Sequence, residues 1–75
     1  METYNSNIEV GNVFTVENDK GTFFHAVKSS AVDKEFGALY FEVLITPPTG
    51  LEFTKFLSSA AIDSLFTNNS ATILF

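Results

Sequence analysis

Acid–base chemistry near neutral pH has one candidate in this chain, His25, whose imidazole alone titrates there without being perturbed. Nucleophilic catalysis would set such a base beside a hydroxyl, with a third group orienting it. Ser29 or Ser30 with Asp33 supplies the residue types, but nothing in their spacing encodes a triad. His25 stands between Phe23 and Val27 in an alternating stretch, which points to a partly buried imidazole satisfied by a backbone carbonyl. The chain has no cysteine and no His-x-x-x-His spacing, so no metal site is expected. Paired carboxylates can hydrolyse glycosides, but they need a cleft between them that so short a chain has little volume to build. Gly11, Gly21, Gly37 and Gly50 are isolated and form no phosphate-cradling loop. The expectation is a protein that is not an enzyme and carries no cofactor.

Charge narrows the partners. Nine acidic residues against four lysines give a net charge of −5, and arginine is absent. Direct nucleic-acid binding and anionic-membrane binding both call for clustered basic residues, so neither is expected. A basic protein surface is the natural complement, since opposite potentials steer encounter. Glu17, Asp19, Asp33, Glu35 and Glu42 could also imitate nucleic-acid phosphates if the fold gathered them on one face. No apolar run approaches transmembrane length, and Met1 to Asn7 lacks the basic-then-apolar pattern of a targeting signal. An intracellular, cytoplasmic location is the expectation. Asn68-Asn69-Ser70 fits a glycosylation acceptor but reads as a turn.

The length, 75 residues, allows one domain over 1–75, with 1–7 loosely held. Ile8, Val10, Phe14 and Val16 form an alternating set, with a bulge or bend at Gly11-Asn12. Asn18-Asp19-Lys20-Gly21 closes a hairpin onto a second strand, Thr22 to Lys28. Ser29 to Glu35 reads as a loop, and Phe36 to Thr46 as a third strand with Leu39, Phe41, Val43 and Ile45 on its core face. Pro47-Pro48-Thr49-Gly50 stops that strand.

Residues 51–57 admit two readings. Thr49 and Glu52 have capping-box spacing for a helix, whereas Leu51, Phe53 and Leu57 alternate around Lys55 as a strand would. Ser58 to Phe66 is helical on either reading, Thr67 to Ser70 a turn, and Ala71 to Phe75 a terminal strand. The fold class is therefore α+β: a small antiparallel sheet in the order β-β-β-α-β with one helix packed on one face. The alternative is a small, partly open barrel with a short helix before the last strand.

Nine phenylalanines are the best lead to function. Phe23 and Phe24 are neighbours on a strand, as are Tyr40 and Phe41, so one of each pair faces away from any helix on the sheet. Aromatic side chains on an uncovered face mark a contact surface. The chain also ends on apolar residues, with Leu74 and Phe75 able to pair within the sheet or with another chain. The interaction surface expected from these features comprises Phe24, Tyr40, Glu42, Glu17, Leu74 and Phe75. The function that follows is a non-enzymatic protein-interaction domain, an adaptor or inhibitor that occupies a partner's surface. Its size suits a virus- or mobile-element-encoded inhibitor. The alternatives are a self-assembling structural or decoration subunit, which would be a homo-oligomer, and an acidic nucleic-acid mimic.

Overall fold

The computed structural model describes residues 8–68 and 70–74; residues 1–7, expected to be loosely held, lie outside them. Five strands form one antiparallel sheet: β1 (Val13–Asn18), β2 (Gly21–Val32), β3 (Leu39–Thr46), β4 (Phe53–Ser58) and β5 (Ala71–Ile73). Among the described residues there is one helix, α1 (Ser59–Thr67), between β4 and β5 in sequence. The α+β class stands, and residues 53–57 of the ambiguous stretch enter the order as a strand rather than a helix, with Leu51 and Glu52 outside it. The barrel alternative does not form. The sheet is open in the order β4-β3-β2-β1-β5, with β4 and β5 on opposite edges.

The first hairpin turns where Asn18-Asp19-Lys20-Gly21 places it, with the Asn18 side-chain oxygen accepting from the Lys20 amide at 2.8 Å. β1 begins later than the alternation implied. Gly11, at φ 99°, and Asn12 share Val27 as partner. Val27 accepts from the Gly11 amide and donates to the Asn12 carbonyl, each at 2.9 Å. This is a glycine-led bulge. It removes Ile8 and Val10 from the ladder: Ile8 is buried in the core and Val10 is 54 % exposed.

β2 runs on through residues 29–32, where a loop was expected. A bulge at Lys28 shifts the pairing register between Val27 and Ser29, and Ser29 to Val32 then pair with Glu42 to Leu39. β3 accordingly starts at Leu39 rather than Phe36, because Asp33 organises residues 33–38 as the turn. Its carbonyl accepts from the Gly37 amide at 2.6 Å, and its carboxylate accepts from the Glu35 amide at 2.9 Å. The Thr49–Glu52 capping box does not form either. Thr49 Oγ accepts from Leu51, and Glu52 receives the Thr46 hydroxyl. The helix N-cap is Ser58, whose hydroxyl oxygen accepts from the Ala61 amide at 3.1 Å.

One face of the sheet is the core. Phe14 and Val16 of β1, Val27 of β2, and Phe41, Val43 and Ile45 of β3 are buried against Ile62 of α1. Leu65 and Phe66, three and four residues after Ile62, close the same stripe. The nine helical residues span about 13 Å, carrying the chain from the β4 edge toward the β5 edge. β5 completes the sheet by pairing Ala71–Ile73 with Val16–Phe14. The ladder continues one residue further, with the Leu74 amide donating to the Val13 carbonyl at 2.8 Å.

Candidate functional site

The geometry separates the groups that catalysis would have needed together. His25 is buried on the helix side of the sheet and stacks on Phe14, with ring centroids 4.8 Å apart at 21°. Its Nδ1 lies 3.1 Å from the Phe23 carbonyl oxygen, which only accepts, so the ring proton sits on Nδ1. Ser29 pairs with Glu42 on the opposite side of the sheet and donates its hydroxyl to that carboxylate at 2.8 Å; Ser30 shares the helix side but pairs with Phe41, about 13 Å along β3 from the Ile45 that faces His25. Asp33 is occupied in the β2–β3 turn. Among the described residues, no group of three or more histidine, aspartate or glutamate side chains is placed to hold a metal ion. The acidic residues divide as well. Glu17 and Asp19 lie at one end of β2, and Asp33 and Glu35 beyond the other, about 35 Å of strand apart.

Desolvation holds the His25 pKa below its usual 6.5, aided by the positive charge of Lys55 and opposed by the Phe23 carbonyl. A depressed imidazole pKa means the unfolded chain binds the proton more readily than the folded one. Stability from this group is present above about pH 6.5 and is lost as pH falls below it, by up to about 1.4 kcal/mol per pH unit. Chemical denaturation at pH 7.5 and 5.5 should show wild type losing more stability on acidification than His25→Gln. Parallel losses in the two proteins would remove His25 as the source.

The register defines the face that α1 does not cover. Opposite residues in an antiparallel ladder point the same way, so this face is built of cross-strand rows. Thr15, Phe24 and Thr46 form one row; Val13, Ala26, Leu44 and Thr54 form the next. Ser29, Glu42 and Phe56 follow, then Ala31, Tyr40 and Ser58. Phe24 is 46 % exposed, Tyr40 38 % and Phe56 69 %. Glu17 lies on the same side opposite Thr22, whose hydroxyl donates to it at 3.3 Å.

Of the residues expected at the surface, Phe24, Tyr40, Glu42 and Glu17 share this face. Leu74 joins them by the alternation that pairs Thr72 with Thr15. Phe75 lies outside the described residues. Phe24 and Tyr40 do not touch as a pair, since about 20 Å of β3 separates their rows. Phe56 and Leu44 stand in the rows between them, and neither was expected there. The alternation of Leu51, Phe53 and Leu57 carried the signal, for it throws Phe56 onto the other face once the segment is a strand.

No helix of the described chain is long and apolar enough to cross a membrane. Comparison with protein-family models, with curated proteins and with solved structures finds no match.

Proposed function

We propose that this chain is a non-enzymatic protein-interaction domain, an adaptor or inhibitor that seats the uncovered face of its sheet on a partner protein. One observation carries the reading. Phe24, Tyr40 and Phe56 are exposed together on a face that no described element covers, while the other face already buries a core against α1. Large aromatics contribute most at interface centres, where they shed water at low entropic cost. Glu17 and Glu42 on the same face, in a chain of net charge −5, favour a partner with a basic surface. Those charges raise the association rate more than the affinity.

The test is affinity capture from host extract with matched variants. Wild type and Phe53→Ala, altered on the helix side of the sheet, should retain the same partner. Tyr40→Ala and Phe24→Ala should each weaken it by about tenfold or more. Equal retention by all four would remove this face as the site. Retention that survives Tyr40→Ala but falls steeply with salt and on charge reversal at Glu17 would place the energy in the acidic groups instead.

A further inference from the structure

The free edge of β4 carries a pattern of its own. In an antiparallel strand the amide and carbonyl of a residue point to one neighbour, and those of the next residue to the other. Val27 bonds to Gly11 and Asn12 on the β1 side, so Ala26 faces β3 and pairs with Leu44. Val43 and Ile45 therefore face β4, where Lys55 and Phe53 answer them. The backbone groups of Thr54 and Phe56 are left pointing away from the sheet, and no described strand lies beyond β4. Such an edge is a template for another strand unless proline, a bulge, charge or a covering element blunts it. β4 has no proline and its pairing with β3 has no register shift; the one blunting device it carries is the charge of Lys55, which restricts the registers another strand can take. The other edge, β5, is only three residues long.

We propose that the chain dimerises by pairing β4 antiparallel with β4 of a second copy about a two-fold axis normal to the sheet, joining the two sheets into one. A second copy fits because the edge is self-complementary and locally neutral. Glu52 and Lys55 cancel over residues 51–58 in a chain of net charge −5, so two copies meet here with no net local repulsion. The axis passes at Phe56. Centring on Lys55 would set two ammonium groups directly opposite, which is unfavourable. Centring on Phe56 places the two Phe56 rings side by side, Lys55 opposite Leu57 of the second copy, and Thr54 opposite its Ser58. Ser58 Oγ already accepts from Ala61, leaving its O–H to donate to that threonine. The axis leaves both aromatic faces on one side, doubling the surface offered to a partner.

Sedimentation equilibrium across a wide concentration range tests this, with amide exchange at low and high concentration. Wild type should be a dimer whose Thr54 and Phe56 amides gain protection as concentration rises. Thr54→Pro removes an outward amide without touching the β3 ladder, and Phe56→Lys places like charges at the axis. Each should weaken the dimer by about tenfold or more with far-UV circular dichroism unchanged. If Thr54→Pro fails to fold, Phe56→Lys and the exchange data decide. A wild type that stays monomeric, a dimer as tight in Phe56→Lys, or edge amides that never gain protection would each overturn the proposal. Phe24→Ala should dimerise like wild type whatever it does to partner capture, so this pairing and the face-binding reading fail separately.

Discussion

Phe14→Ala should cost about 3–5 kcal/mol of folding stability, the range for truncating a fully enclosed aromatic side chain. Phe14 has no exposed surface, and its ring lies between the His25 imidazole at 4.8 Å and the Phe66 ring at 5.3 Å. It also joins β1 to both neighbours, opposite His25 of β2 and Ile73 of β5. Truncation therefore opens a cavity where the sheet, the helix and the closing strand meet. A chain of 75 residues has on the order of 4–11 kcal/mol of total stability, so this one truncation removes from about a quarter to all of it. Guanidinium denaturation gives the comparison, with Phe36→Ala as control because that side chain is 78 % exposed. The control should stay within about 0.5 kcal/mol of wild type. A Phe14→Ala loss below about 1 kcal/mol would show that the core does not close around this ring.

Gly21→Ala is expected to destabilise through two separate effects. Gly21 has φ 126°, a conformation that costs a side-chain-bearing residue about 1–3 kcal/mol. A Cβ there would also stand 2.7 Å from Pro48 Cγ and 3.3 Å from Pro48 Cβ. The pyrrolidine ring has little freedom to withdraw, and a forced overlap of this kind typically adds about 1–3 kcal/mol. Gly11→Ala separates the two effects, since Gly11 also has a positive φ, 99°, but nothing within 4 Å of its added Cβ. Thermal melts should rank wild type above Gly11→Ala and Gly11→Ala above Gly21→Ala. Pro48→Ala in the Gly21→Ala background should recover part of the difference. Equal losses at the two glycines, with no recovery, would mean that the turn between β1 and β2 does not press on the β3–β4 turn.

Much of this was legible in the residues, and the misses have physical causes. The first hairpin was clear because Asn18 to Gly21 is strong turn chemistry flanked by period-two runs. Of the expected Leu39-Phe41-Val43-Ile45 row, the last three are core because alternation survives wherever one face is buried, while Leu39, beyond the reach of the helix, is 38 % exposed. Residues 29–32 were missed as strand because Ser29 and Ser30 are polar and all four side chains, Val32 included, stay exposed. What holds them is pairing with residues 39–42, a partner that local composition does not reveal. The Lys28 bulge also breaks the phase that would have extended the pattern. Residues 51–57 were ambiguous for a related reason. Phe53 and Phe56 point to opposite sides of an edge strand and both stay exposed, so neither period dominates. The same ambiguity hid Phe56; Tyr40 was placed opposite the Leu39-Phe41-Val43-Ile45 row by its neighbours, whereas alternation left Phe23 and Phe24 as equal candidates until the helix fixed which face is covered.

β5 has a kinetic consequence. The β1–β2, β2–β3 and β3–β4 hairpins join sequence neighbours and can close early, but β1 and β5 lie more than fifty residues apart where Val16 meets Ala71. Contacts so distant in sequence form late, after the loop between them has lost its entropy. Until then β1 is a second raw edge, and Phe14 lacks the strand that covers it. The half-made molecule is therefore stickier than the finished one. The three residues of β5 act as the latch that ends that exposure.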